Sequence, residues 1–192
     1  MDEEVDYLPL VKRALNGDDH AYQDMYDATI KDVYKNVHFL MEDKTDVEDV
    51  IQEIYIQMYK SLKKYDPTKP FKPWLIGVAI KQIHSYRRKK WMSFRILKRA
   101  ETVSREYSED FTPGLIEQLS NETLITLIDQ LPFKLKQVVI LHYLNDYKQS
   151  EVAEILKIPV GTVKSRIHEA LKKLRQKSKH NPINLEKVRN VL

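Results

Sequence analysis

Gln149-Ser-Glu-Val-Ala-Glu-Ile-Leu-Lys-Ile-Pro-Val-Gly-Thr-Val-Lys-Ser-Arg-Ile-His168 reads as two short helices joined by a tight turn. Val152, Ile155, Leu156, Ile158, Val163 and Ile167 form an apolar set that would lock the two helices together, and Ala153 is small where their axes must approach closely. Pro159 follows the turn, and its fixed φ suits entry into a new helix. In the second helix Val163, Ile167, Ala170, Leu171 and Leu174 share one face. At about 100° per residue the opposite face presents Gly161, Ser165, His168 and Lys172, flanked by Thr162, Lys164, Arg166 and Arg175. Small residues at a helix start allow close approach to base edges, and longer basic ones reach phosphates or a guanine edge. This is the layout of a helix-turn-helix, which lays its second helix in the major groove of DNA. The alternative, a helical hairpin without a ligand, has no need of such a basic face.

The rest of the chain is consistent with an all-α protein. Its 192 residues contain four glycines and show few strand-like alternations. The absence of cysteine excludes a disulfide scaffold and a cysteine-ligated zinc site, and fits a reducing compartment. No apolar run approaches the roughly 20 residues that span a bilayer. The acidic start, Met1-Asp-Glu-Glu-Val-Asp6, is unlike a secretory or mitochondrial signal. Cytoplasmic residence without membrane insertion is the expectation.

Net charge is +4, but its distribution says more than its sum. Acids dominate from Asp18 to Glu53, whereas Phe71 to Ala100 contains none and carries a dense set of lysines and arginines. A second basic stretch, Lys157 to Lys179, is opposed only by Glu169. Two separated basic zones suit contact with nucleic-acid phosphates at two places.

Helical periodicity divides the chain into two small helical domains. Leu8, Val11 and Leu15 form a short stripe stopped by Asn16-Gly17, and Asp18 or Asp19 can cap the next helix. That helix is expected to turn Tyr22, Met25, Tyr26, Ile30, Val33, Tyr34 and Val37 inward. Thr45-Asp-Val-Glu48 has the sequence of a capping box. Val47, Val50, Ile51, Ile54, Tyr55, Met58 and Leu62 then recur at helical spacing until Asp66-Pro67-Thr-Lys-Pro70. A fourth helix is expected over 74–90, with Leu75, Ala79, Ile83 and Tyr86 on its apolar side. From Ser93 to Thr112-Pro113-Gly114 the periodicity weakens, as in a flexible linker. The expected domains are 1–92 and 115–177, joined by 93–114 and followed by a polar tail, 178–192.

Two helices of the first domain carry features a core does not explain. Opposite the apolar stripe of the third lie Glu48, Asp49, Gln52, Glu53 and Lys60, with Ile56 in their midst. An isoleucine on a polar face suggests a docking surface. Clustered carboxylates could instead hold a metal for phosphoester chemistry, but no motif nearby supplies a nucleophile. The fourth helix turns Trp74, Val78, Lys81, Ser85 and Arg88 outward. A tryptophan beside a basic row can stack on an unpaired base while cations hold the backbone. It could equally be a core residue beside a solubilising run.

The order of these features resembles the extracytoplasmic-function group of bacterial RNA polymerase sigma factors. Asp46-Val-Glu-Asp-Val-Ile-Gln-Glu53 resembles the family's region 2 signature, and Leu131-Pro132 through Arg175, including Pro159-Val-Gly-Thr-Val-Lys-Ser-Arg166, resembles region 4. The resemblance covers roughly 21–88 and 123–176. It implies a protein that binds core RNA polymerase, with Asp46, Asp49, Gln52, Glu53 and Ile56 at the interface. It implies that Lys69, Phe71, Lys72, Trp74, Lys81, Ser85, Arg87 and Arg88 contact the −10 element as its non-template strand separates. Gly161, Thr162, Lys164, Ser165, Arg166, His168 and Lys172 would read duplex DNA at the −35 element. It further implies no catalytic residue, no metal or other cofactor, and an anti-sigma partner wedged between the two modules. Three departures stand out: Ile80-Lys81 where the family commonly has Arg-Asn, small Gly77 and Ser85, and Lys157 where the turn usually has glycine. The competing reading is a stand-alone helix-turn-helix regulator, which would show a ligand or receiver domain in its first half. An enzyme acting on nucleic acid would need a catalytic constellation that the chain lacks.

Overall fold

The computed structural model describes residues 6–100 and 124–177, with side chains to 95 in the first span. Most of the expected linker (101–114), the opening of the second domain and the polar tail lie outside the described residues. The described residues are helical, with no strand among them. Helix α1 spans Tyr7–Leu15, α2 Asp19–Leu40, α3 Val47–Ser61 with a 3-10 turn at Leu62–Lys64, and α4 Phe71–Ala100. The described part of α5 is 124–129. Helix α6, Phe133–Val139, widens into a π turn at Ile140–Leu144; α7 is Gln149–Leu156 and α8 Val160–Lys177.

Local chemistry sets the ends. Asp6 caps α1 by accepting from the Leu8 amide (3.0 Å). Gly17, at φ 86°, turns the chain into α2. There Asp18 accepts from the His20 and Ala21 amides at 3.0 and 3.2 Å. The capping box expected at Thr45–Glu48 is absent: Asp46 occupies the N-cap without a side-chain bond. The Thr45 amide and hydroxyl instead donate to Asp43, a side chain two residues back that closes a local turn first. Helix α4 runs beyond both expected ends: Pro73 falls in its first turn, where proline is tolerated, and no proline follows in 74–100.

The phases of α1 and α2 need correction. The buried face of α1 is Tyr7, Val11 and Ala14, while Leu8 and Leu15 are exposed. In α2 the buried face is Ala21, Met25, Thr29, Val33, Asn36, Val37 and Leu40. Two polar residues belong to that face. The Thr29 hydroxyl donates to the Met25 carbonyl (2.7 Å) and meets the Tyr55 hydroxyl at 2.9 Å. Asn36 donates to the Asp32 carbonyl at 2.8 Å and to Asn145. Tyr22, Tyr26 and Ile30 are half-buried beside this face and Tyr34 is exposed. The stripe of α3 is buried as expected, from Val47 through Leu62. One core runs through both domains: Leu40, Ile76 and Ile80 of the first are contiguous with Val138, Leu141, Val152 and Ile155 of the second. A satellite core joins Leu124, Ile128, Leu135 and Leu174. At its edge the buried Lys136 ammonium pairs with Asp129.

Candidate polymerase and nucleic-acid interfaces

Helices α2 and α3 leave between them an open groove of about 620 Å³. Tyr22, Tyr26, Ile30 and Tyr34 form one wall, and Glu48, Gln52 and Ile56 the other. Its aromatic floor is fixed in place: the Tyr26 and Tyr55 rings are 4.5 Å apart, and the Tyr22 hydroxyl donates to the Tyr55 carbonyl (3.2 Å). Burial pushes the hydroxyls of Tyr22 and Tyr55 up, so both stay neutral donors. Ile56 is 40% exposed and Tyr34 47%. Asp49, Gln52 and Glu53 are exposed beside them, with Glu53 accepting from Gln57 at 2.7 Å. The sequence pointed to the acidic wall and to Ile56, but assigned the opposing tyrosines to the core. Asp46 stands apart from this set. Its carboxylate accepts from the Tyr86 hydroxyl and lies 3.5 Å from the Lys90 ammonium, tying the start of α3 to α4.

The loop from Tyr65 to Pro70 is shaped by Asp66, which accepts from the Thr68 amide (3.0 Å) and hydroxyl (2.7 Å). These bonds hold the Asp66 carboxyl below its usual range. The loop sits on an aromatic stack. Tyr7 lies flat on Phe71 at 4.6 Å, and Tyr65 and Phe71 stand 5.0 and 5.4 Å from Trp74. Phe71, 3% exposed, is therefore the base of the stack and not an open contact. Trp74, half-buried, is its outer member. Of the neighbouring cations, Lys72 pairs with Asp32 (2.9 Å) and Lys69 with Glu154 of α7 (3.2 Å). Arg87 pairs with Glu42 and lies 3.9 Å over the Phe133 ring. Lys81 and Arg88 are exposed, and Ser85 is half-buried.

The helix-turn-helix forms as its sequence suggested. Val152, Ile155, Val163, Ile167, Ala170 and Leu174 are buried. Lys157 ends α7 in the left-handed region, φ 53° and ψ 48°. The Lys157 and Ile158 amides return to the Glu154 and Ala153 carbonyls (3.2 and 3.0 Å), a Schellman closure with lysine at the position usually given to glycine. Gly161, Lys164, Ser165, His168 and Lys172 are exposed on the face away from the core, and Thr162 and Arg166 are half-exposed beside them. The Ser165 hydroxyl donates back to the Thr162 carbonyl (3.0 Å).

A tyrosine-lined groove with an acidic wall, an aromatic-basic loop and a helix-turn-helix, with only helices among the described residues, point to a promoter-specificity subunit. The family models of sigma-70 region 2 and sigma-70 region 4 match residues 25–92 and 121–174. The ECF RNA polymerase sigma factor SigW of Bacillus subtilis is 30% identical over 177 residues, covering 86% of this chain and 93% of that protein. The ECF RNA polymerase sigma-E factor of Escherichia coli K12 is 28% identical, covering 65% and 70% respectively. Among solved structures, the sigma factor RpoE of Bartonella quintana, crystallised with the anti-sigma factor NepR, superposes with a TM-score of 0.68 at 15% identity over 84% of this chain and 98% of that one. CnrH, solved with the cytosolic domain of CnrY, gives 0.65 at 20% identity over 90% and 97%. The chain belongs to the extracytoplasmic-function RNA polymerase sigma factors. It is a sigma factor and not a stand-alone regulator.

Proposed function

We propose that the chain seats the α2–α3 groove on core polymerase, opens the −10 element with the Tyr65–Trp74 loop and the outer face of α4, and reads the −35 element with α8. The carrying observation is the groove, an apolar, tyrosine-lined trough with an acidic wall. It fits an amphipathic helix with basic flanks. Asp49, Gln52, Glu53 and Ile56 contact that helix, and Asp46 acts from behind by fixing α3 to α4. At the −10 loop Trp74 stacks on an unpaired base of the non-template strand while Lys69, Lys72, Lys81 and Arg88 hold phosphates. At the −35 element Lys164, Arg166 and Lys172 reach bases and phosphates, and Gly161, Thr162, Ser165 and His168 line the close approach. The protein works by binding alone, in the cytoplasm, under the control of an anti-sigma partner. Among the described residues no helix is long and apolar enough to cross a membrane, and no cluster of three or more ligand side chains could hold a metal.

A split in phenotype tests this. Ile56→Asp should weaken core binding at least tenfold without unfolding the chain, because Ile56 is outside the core. Arg166→Ala should leave core binding intact and lower selectivity for the upstream element. Loss of core binding in Arg166→Ala, or unchanged core binding in Ile56→Asp, would overturn the assignment.

A further inference from the structure

Helix α1 lies ahead of the residues matched by the sigma-70 region 2 model, 25–92, yet its first side chain reaches the loop that leads into α4. The Tyr7 ring stacks on Phe71 with centroids 4.6 Å apart and planes 18° from parallel. Phe71 passes the contact on: Tyr65 meets it edge-on at 5.5 Å, and Trp74 lies 5.4 Å away. The backbone alone holds this end of α4 loosely. The bond from the Trp74 amide to the Pro70 carbonyl is 3.4 Å long, and Pro73 has no amide to give. Side chains therefore set where the first turn sits. Lys72 ties it to Asp32 of α2 (2.9 Å), a pair largely in solvent and so screened. Phe71 ties it to Tyr7, and this contact is buried, with Tyr7 9% and Phe71 3% exposed.

We propose, on the reading of the Tyr65–Trp74 loop as the opener of the −10 element, that Tyr7 is a positioning residue for promoter opening: α1 presents its ring as a flat seat for Phe71, and Phe71 fixes the angle at which Trp74 meets an unpaired base. Tyr7 is buried, so it touches no base itself and acts through Phe71. Phe71 and Trp74 are three residues apart and neighbours on one helix face, so a tilt of the first ring is passed to the second. The seat is anchored independently of the loop. Asp6 caps α1 through the Leu8 amide (3.0 Å), Val11 and Ala14 are buried, and Arg13 pairs with Asp18 (2.7 Å) at the start of α2. The Tyr7 hydroxyl is buried without a hydrogen-bond partner among the described residues. Such a group adds desolvation cost and no attraction, so the flat ring is what this position uses. A stacking side chain that is aligned before a base leaves the duplex needs no further ordering at that moment. The effect of the seat therefore falls on opening the duplex more than on holding a strand already separated.

Full-length variants assembled with core polymerase test this on one recognised promoter, supplied as duplex and with its −10 element pre-melted by mismatches. Tyr7→Leu keeps the slot apolar but removes the flat ring. It should lower run-off transcription and permanganate reactivity on the duplex about five- to tenfold, the weight of one aromatic pair. On the pre-melted template and in core binding it should stay within about twofold of the parent. Tyr7→Phe should match the parent on both templates and melt no earlier. Asp6→Ala, an exposed change outside the core, should lower duplex opening about twofold by fraying the turn that carries Tyr7. Positioning is refuted if Tyr7→Leu opens the duplex as well as the parent, or if its losses on the two templates are equal, as a merely structural role would give. If Tyr7→Leu does not fold, Asp6→Ala decides, and unchanged opening there refutes the proposal. Trp74→Ala separates the two levels. If it opens the duplex normally, the −10 assignment of the loop fails and the role of Tyr7 with it; if it is impaired and Tyr7→Leu is not, only the role of Tyr7 fails.

Discussion

Lys157→Gly should stabilise this protein. Lys157 occupies the left-handed region, where a side chain costs about 1–2 kcal/mol because Cβ crowds the following carbonyl. Glycine removes that cost but returns roughly 0.4–1 kcal/mol through the greater freedom of its unfolded chain. The lysine side chain is exposed, so little packing is lost. The net gain is about 0.5–1 kcal/mol, which in a 192-residue chain whose two domains share one core corresponds to about 1–4 °C in melting temperature. Lys157→Val makes the opposite change, since a β-branched side chain is least tolerant of positive φ. It should cost about 1–2 kcal/mol and melt earlier. Thermal unfolding by circular dichroism measures both, and hydrogen exchange at the Ile158 amide reports on the Schellman closure. A glycine variant that melts below the parent, or a valine variant that matches it, would refute the reasoning.

The aromatic stack separates stability from function. Phe71→Ala removes a buried ring and should cost about 3–5 kcal/mol, whereas Trp74→Ala should cost less and instead lower the permanganate reactivity of open promoter complexes. Equal stability losses with unchanged opening would count against Trp74 as the stacking residue. Acid should destabilise the junction of the α2–α3 connection with α4. Hydrogen bonding and pairing with Lys90, with further bonds from Thr45, hold the Asp43 carboxyl far below its usual range. Its stabilisation is complete above the ordinary carboxylate pKa near 4 and is lost as pH falls towards the lowered value. Asp43→Asn should flatten the pH dependence of the melting temperature below about pH 4, and an unchanged slope would exclude the pair as its source.

The second domain was legible because its signals agree. Val152, Ile155, Val163 and Ile167 recur at helical spacing, Pro159 marks the entry to α8, and the basic side chains fall opposite the apolar ones. In α3 the stripe and the polar face are equally distinct, so Ile56 stood out as an apolar residue without a core to join. Where local signals conflict, the periodicity misled. In α2 two polar residues are buried and several tyrosines are not, so a reading that assigns polarity to the surface rotates the helix towards its aromatic side. The same error hid half of the α2–α3 groove, since tyrosines at helical spacing resemble core until the opposing helix is in place.

The two buried polar residues of α2 share one physical origin. Thr29 is buried because Tyr55 of α3 completes its hydrogen bonding, and Asn36 because Asn145 of the second domain does. A buried polar side chain is acceptable only where a partner offsets its desolvation. That partner lies 26 residues away for Thr29 and 109 away for Asn36, beyond the reach of any local pattern. For Thr29 the partner is always present, because α2 and α3 share one domain core, so its burial is a permanent feature of the fold. For Asn36 the partner belongs to the second domain, so its burial depends on the contact between the domains, and the exchanged amide bonds fix the register of that contact.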